Sequence, residues 1–170
     1  MIVQLLIRRI LVDGSVLTLL VASVAVITLY LNPRIALSDY PQDVRAAVPP
    51  RTRKELGQGI LIALILLPAV IAIPLHSTHL IKQQNSGTIA YWMAFVTIFG
   101  EYFLVSLFDL VVLDILMFYT WTPRFVVIPG TAGMPGYKDW HPHARAQLTI
   151  GNLIIGIFSA ILALIPTYLY

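Results

Sequence analysis

Long runs of hydrophobic residues, broken by polar residues at only a few places, dominate this chain of 170 residues. Four runs are long enough for a helix to cross the ~30 Å hydrocarbon layer of a bilayer. Each is hydrophobic on all sides, which is typical of helices that face lipid and one another. We therefore predict an all-α polytopic membrane protein, a single domain over 1–170 with four transmembrane helices in a bundle. The predicted spans cover about 10–31, 57–75, 89–119 and 148–169.

Composition supports this class and removes several others. Hydrophobic residues make up 58% of the chain and charged residues 11%, whereas a soluble domain carries roughly 25% charged residues. A typical soluble enzyme, a disordered tail and a nucleic-acid-binding domain are excluded, and the lipid bilayer is the expected partner. The chain has no cysteine, so it has neither disulfides nor thiolate metal sites. No Gly-rich phosphate loop appears.

The N-terminal segment has two interpretations. Arg8 and Arg9 precede an apolar run, as in a secretory signal peptide. The run is long for such a peptide, and no small-residue cleavage site ends it before Asn32-Pro33, so we favour a retained first span. Arg9 and Asp13 are four residues apart and are expected to pair on a helix.

The distribution of Lys and Arg predicts the orientation. The loops 32–56 and 120–147 hold eight of the 11 cations, and the opposite side holds Arg8, Arg9 and Lys82. By the positive-inside rule, both loops are cytoplasmic and the termini lie on the non-cytoplasmic side of the membrane.

Both loops carry features of their own. In the first, Asp39 is expected to cap a short helix with Pro41 in its first turn. Next to the second span, Arg51, Arg53 and Lys54 form a basic patch, which either binds anionic lipid or an acidic partner or only sets topology. The second loop is rich in Gly, Pro and aromatic residues, which predicts a structured loop folded against the membrane surface.

Two prolines in the second span, Pro68 and Pro74, predict a kink or an early end. His76 and His79 follow three residues apart. On a continued helix they would share a face and could bind a metal or a pigment, but we favour interfacial residues in a turn.

Three carboxylic acids lie in the third span: Glu101, Asp109 and Asp114. An ionised carboxylate at a helix centre costs about 3 kcal/mol on insertion scales, so each acid needs a partner, water or a proton. At 100° per residue, Asp109 and Asp114 lie about 140° apart on an α-helix. This spacing does not support a paired-carboxylate catalytic site, and we assign no catalytic residue.

Partners for these acids can be suggested from the rest of the chain. Glu101 is expected to be protonated and hydrogen-bonded to Asn152, Thr18 or Ser159. Asp109 and Asp114 are expected to pair with Arg124 or Arg145, or with His141 and His143. The last arrangement has a functional alternative, in which a transition metal is held by a set of four residues: Asp109, Asp114, His141 and His143. The four histidines could instead ligate a haem or a chlorophyll.

Several short motifs together resemble an uncharacterised family of bacterial four-span integral membrane proteins. They are Asp39-Tyr40-Pro41, Phe108-Asp109 with Asp114, Ile128-Pro129-Gly130-Thr131, and His141. The resemblance covers roughly residues 38 to 143, and it implies topology without any chemistry.

Three functions are compatible with this pattern. The leading hypothesis is a small non-catalytic subunit or accessory factor of a larger membrane assembly, made with other subunits or with copies of itself. The alternative is a membrane-embedded enzyme or metal-binding protein that acts at the cytoplasmic face on a lipid or quinone-like substrate, through Asp109, Asp114, His141 and His143. The third is proton or ion transport through Glu101.

Overall fold

The computed structural model describes residues 2–169, and its regular structure is helical throughout. Four long helices have the length and apolar composition needed to cross a membrane. The prediction of an all-α fold with four long apolar helices is therefore confirmed. The elements are α1 (Ile2–Leu31), a short α2 (Gln42–Ala46), α3 (Arg53–Gln84), α4 (Tyr91–Trp121) and α5 (His141–Leu169).

Two of the long helices change their winding along their length. α4 is α-helical over Tyr91–Phe108 and π-helical over Asp109–Trp121. α5 has π-helical turns at Gln147–Gly151 and Ile165–Leu169 on either side of its α-helical segment Asn152–Leu162. π-Helical turns are rare and are often found at functional sites.

The predicted early end of the second span is wrong, because α3 continues through Pro74 to Gln84. Proline lacks an N–H group, so the carbonyl of Val70, four residues earlier, loses its helical partner. The Tyr102 hydroxyl on α4 donates a hydrogen bond to that carbonyl at 2.8 Å. Within a membrane such replacement by a neighbouring helix allows a proline to remain inside a helix. His76 and His79 consequently lie on a helix rather than in a turn.

α4 lies at the centre of the bundle and packs against α1, α3 and α5. Gly14 and Gly100 let α1 and α4 approach closely: a Cβ on Gly100 would lie 2.9 Å from Cδ1 of Ile10, and one on Gly14 would lie 3.0 Å from Cδ1 of Leu104. The apolar side chains on the outer faces of the long helices are exposed, as suits contact with lipid.

The two connections 32–52 and 122–140 pack on each other at one end of the bundle. We call this assembly the cap and its end of the bundle the cap side; the opposite end is the terminal side. The cap has its own apolar core, formed with the end of α4, whose main members are Leu37, Tyr40, Val44, Phe118, Tyr119, Val126, Ile128 and Tyr137. The second connection is thus a structured loop.

Hydrogen bonds join the two connections of the cap. Tyr40 donates its hydroxyl hydrogen to the Val126 carbonyl at 2.7 Å, and burial raises the pKa of Tyr40 above its ordinary value of 10. The Asp43 carboxylate accepts from the Gly136 N–H at 2.8 Å. Asp39 does not cap α2 as expected, because it ends a preceding 3₁₀-helix and Pro41 occupies the N-cap position.

Candidate functional site

Asp109 and Asp114 lie on the same side of α4, contrary to the α-helical estimate. The π-helix begins at Asp109 and joins each residue to the one five positions later, so residues five apart lie about one turn apart. Both aspartates accordingly line one cavity. The 140° separation expected from the sequence is wrong because it assumed α-helical winding.

His143, in the first turn of α5, completes this group. Its Nε2 atom lies 2.9 Å from Oδ2 of Asp114, which is within ion-pair distance. Oδ2 is buried and has no well-directed hydrogen-bond donor within residues 2–169. Asp109 accepts a hydrogen bond from Nε2 of Gln147 at 3.2 Å, and the same amide donates to the Ser106 carbonyl at 3.0 Å. An imidazole and two carboxylates therefore meet at this point.

These groups stand at the polar end of an otherwise apolar cavity of about 320 Å³ between α1, α3, α4 and the cap. Aliphatic side chains such as Val24, Ile62 and Leu66 form its apolar walls. This volume lies at the lower end of the usual range for small-molecule sites, which are mostly apolar with a few convergent polar groups.

A second, more polar cavity of about 660 Å³ lies among the cap residues. It shares four lining residues with the apolar cavity: Asp39, Tyr40, Tyr119 and His143. Its other residues include Gln42, Asp43 and Arg45. Side chains of His143 and its neighbours thus separate a polar region in the cap from an apolar region among the helices.

The four residues of the expected metal set do not come together. Asp109, Asp114 and His143 line the apolar cavity, whereas His141 is exposed and stacks on Trp140 with 4.0 Å between ring centroids. Within residues 2–169 no group of three or more His, Asp or Glu side chains is arranged to hold a metal ion. The π-helical part of α4 and the first turn of α5 bring Asp109, Asp114 and His143 to one cavity. They do not arrange these three side chains around a common metal position.

Arg124 and Arg145 are not the partners of these aspartates, because both arginines are exposed. The sequence also predicted that His141 and His143 would pair with the aspartates. His143 pairs with Asp114, whereas His141 stacks on Trp140 instead. The sequence could not distinguish His143 from His141 as the partner, because neither the apolar helix nor the distant loop shows a periodicity that relates their side chains.

Glu101 lies on the terminal side, about two turns of helix from Asp109. Its side chain is fully buried, and neither carboxyl oxygen has a hydrogen-bond partner within residues 2–169. The three partners expected from the sequence are wrong, because each bonds a carbonyl of its own helix: Thr18 to Gly14, Asn152 to Leu148 and Ser159 to Ile155. The polar side chains beside Glu101 are instead Ser77 and Asp13.

The remaining predicted sites lie apart from both groups. His76 and His79 are exposed on α3, and Nε2 of His79 lies 2.8 Å from the Gln83 amide nitrogen. In the basic patch, Arg53 and Lys54 are exposed, but Arg51 donates to the Ile35 carbonyl at 2.9 Å and so helps to hold the cap.

Sequence reasoning missed several residues of the two buried groups. On the cap side these are Asp39, Tyr40, Tyr119 and Gln147; on the terminal side Ser77 was missed. Asp39 and Tyr40 stand in a motif that the sequence singles out, which could have drawn attention to them. Ser77 carries no such signal.

Comparison with known protein families, curated proteins and solved structures finds no match to this chain. The resemblance to bacterial four-span proteins therefore stays a prediction, and function has to be argued from the geometry.

Proposed function

We propose that this protein binds an amphipathic small molecule, lipid-like or quinone-like, at the cap side of a membrane-embedded bundle, and performs acid–base chemistry on its head group. The observation that carries this proposal is the meeting of Asp114 and His143 at the polar end of an apolar cavity. A hydrocarbon tail would fit among the aliphatic walls, and the head group would lie at the level of His143.

The charges around the cavity favour a particular head group. Asp39, Asp109 and Asp114 line it together with His143, and no Lys or Arg lies among its lining residues. A phosphate would meet carboxylates at close range, whereas a hydroxyl or ammonium group could donate to a carboxylate oxygen. The bound molecule is therefore neutral or cationic and carries a hydrogen-bond donor.

The chemistry proposed for the head group is proton transfer. An imidazole held against a carboxylate can take a proton from a substrate hydroxyl and return it later, with the carboxylate stabilising the imidazolium. Asp114 would orient His143, while Asp109, held by Gln147, would add a second acceptor. This arrangement supports the membrane-enzyme alternative; the accessory-subunit hypothesis stays a prediction.

Binding of three radiolabelled probes to the protein in nanodiscs tests the proposal. The probes share a decyl chain and differ in their heads: a benzoquinol, a primary amine and a phosphate. We expect saturable binding of the first two only. Asp114→Asn should weaken binding roughly 10- to 100-fold, the effect of losing a charge-assisted hydrogen bond of about 1.5–3 kcal/mol.

His141→Gln is the matched control for His143→Gln, since the two histidines are neighbours but only His143 lines the cavity. We expect His143→Gln to weaken binding of the quinol and His141→Gln to leave it unchanged. Equal binding of all three heads, or equal effects of the two histidine substitutions, would contradict the proposal.

We also propose that the cap side faces the cytoplasm of a bacterial inner membrane. The excess of Lys and Arg in the two loops supports this orientation. Because the chain has no cysteine, single substitutions Ser38→Cys and Gln84→Cys can be labelled without background by a membrane-impermeant maleimide. In intact cells we expect labelling of the Gln84→Cys variant alone, and the reverse result would refute this orientation.

A further inference from the structure

A second buried polar group lies on the terminal side, where α1, α3 and α4 meet. Glu101 is fully buried, with two carboxyl oxygens that have no hydrogen-bond partner within the described chain, and it lies beside Ser77 and Asp13. Asp13 in turn lies 3.7 Å from Nη1 of Arg9. None of these four residues lines the cap-side cavity.

The hydrogen-bonding capacity of Ser77 determines what Glu101 can do. The Ser77 hydroxyl lies 2.8 Å from Oδ2 of Asp13, and a hydroxyl has one hydrogen to donate. Its two acceptors are Oδ2 of Asp13 at 2.8 Å and the Ile73 carbonyl at 3.3 Å, so the hydrogen points to the nearer one, on Asp13. The oxygen of Ser77 can then accept from Glu101 but has no hydrogen left to give it. An ionised Glu101 would therefore hold two buried acceptors without a donor.

The charged and titratable side chains on the surrounding helices also favour a protonated Glu101. On α1, Arg9 and Asp13 offset each other. On α4, Tyr102 directs its hydroxyl to the Val70 carbonyl. On α3, Lys82 donates to the Pro166 carbonyl, and His76 and His79 are exposed. α5 has no titratable side chain between Asn152 and Pro166.

An ionised Glu101 would thus add one unbalanced negative charge to a fully buried, mostly apolar site. Burying an ionised group without a partner is expensive, and the usual outcome is that the group takes up a proton.

We propose that Glu101 is an intramembrane proton-binding site that exchanges its proton with the terminal side through Ser77 and Asp13. The Glu101 oxygens make no hydrogen bond within residues 2–169, so the proton reaches Oγ of Ser77 by a rotation of the Glu101 side chain; Ser77 donates to Oδ2 of Asp13, and Asp13 pairs with Arg9. In exchange, Glu101 passes its proton to Ser77 as Ser77 passes its own to Asp13, so the hydroxyl is neutral before and after the step. The proposal is independent of the cavity and its ligand.

Infrared difference spectroscopy of the protein in nanodiscs at neutral pH tests the site. A protonated carboxylic acid has a carbonyl stretch distinct from the carboxylate bands. We expect this band to disappear in Glu101→Gln and to persist in Asp109→Asn. Glu101→Gln should fold normally, because the amide is neutral, has nearly the same shape and can donate to Ser77 as proposed for the protonated acid. The same band intensity in wild type and Glu101→Gln would overturn the proposal.

Hydrogen–deuterium exchange of that band tests the route. Ser77→Ala removes the hydroxyl that lies between Glu101 and Asp13 and should slow exchange at least ~10-fold. Thr97→Val is the matched control, since Thr97 is equally buried on α4 but donates to the Met93 carbonyl of its own helix. Equal exchange rates in the two variants would refute the route. Quinol binding at the cap side should be unchanged in Glu101→Gln, so this test and that of the proposed function can fail separately.

Discussion

Replacing Gly136 with alanine should open the cap. Gly136 lies where the two connections touch, and its N–H donates to Asp43 at 2.8 Å. A Cβ at this position would collide with the Asp43 carboxylate and would lie 2.6 Å from Cβ of Pro41. Proline is rigid and Asp43 is held by its hydrogen bond, so neither neighbour can move aside without separating the connections.

The cost of this substitution can be worked out from those contacts. Forcing a methyl group into a packed site costs about 1–3 kcal/mol, and losing a hydrogen bond to a charged acceptor costs about 1.5–3 kcal/mol. Alanine lowers the entropy of the unfolded chain relative to glycine, which offsets about 0.4–1 kcal/mol. The net destabilisation of the cap is therefore about 2–5 kcal/mol.

Hydrogen exchange measured by mass spectrometry over peptides from 122–140 provides the assay. A loss of 2 kcal/mol or more predicts exchange at least ~30-fold faster than in wild type. Gly57→Ala is the control, because a Cβ on Gly57 meets no atom within 4 Å, and it should leave exchange in the cap unchanged. If Gly136→Ala exchanged at the wild-type rate, the packing of the two connections described above would be incorrect.

Three further substitutions test the bundle and the cap. Gly100→Ala should lower stability by about 1–3 kcal/mol by overpacking against α1, whereas Gly156→Ala, which meets no atom within 4 Å, should be neutral or stabilising in thermal unfolding. Tyr102→Phe should lower the free energy of unfolding by about 1–3 kcal/mol, because it leaves the Val70 carbonyl without a hydrogen bond. Pro74→Ala restores the backbone N–H that bonds this carbonyl in a regular helix, so the double variant should recover most of that loss. Additive effects of the two substitutions would refute the hydrogen bond from Tyr102 to Val70. Tyr40→Phe tests the dependence of stability on pH. Burial raises the pKa of Tyr40 above 10 in the folded protein, so the unfolded chain loses the phenolic proton at a lower pH. Wild type should therefore lose stability above about pH 10, by up to ~1.4 kcal/mol per pH unit. The phenylalanine variant should lack this part of the alkaline loss, and parallel pH profiles would contradict the burial of Tyr40.

The architecture could be predicted because it depends on averages over long segments. Four runs of apolar residues determine four helices regardless of how each turn is wound. The pairing of Arg9 with Asp13 could be predicted as well, since it needs only a regular α-helix over one turn, and the two side chains lie 3.7 Å apart.

The candidate site depends on features that such averages do not contain. A helix that is apolar on all sides has no hydrophobic periodicity that would indicate π-helical winding, so the sequence does not reveal the relative positions of Asp109 and Asp114. The continuation of α3 beyond Pro74 depends on a hydroxyl from another helix, which the local sequence does not reveal. The choice of His143 over His141 depends on the start of α5, where two histidines share a short helical turn.

The winding of α4 also bears on how this helix matches the thickness of a bilayer. Its 31 residues would extend about 46 Å as a regular α-helix, well beyond the ~30 Å hydrocarbon layer. A π-helix places more residues in each turn, so the stretch Asp109–Trp121 is wider and shorter than an α-helix of equal sequence length. Hydrophobic mismatch is usually relieved by tilting, kinking or thickening the bilayer. A change of winding within the helix offers another route, because it shortens α4 and leaves Asp114 and Tyr119 closer to the α-helical segment Tyr91–Phe108 than a straight α-helix would.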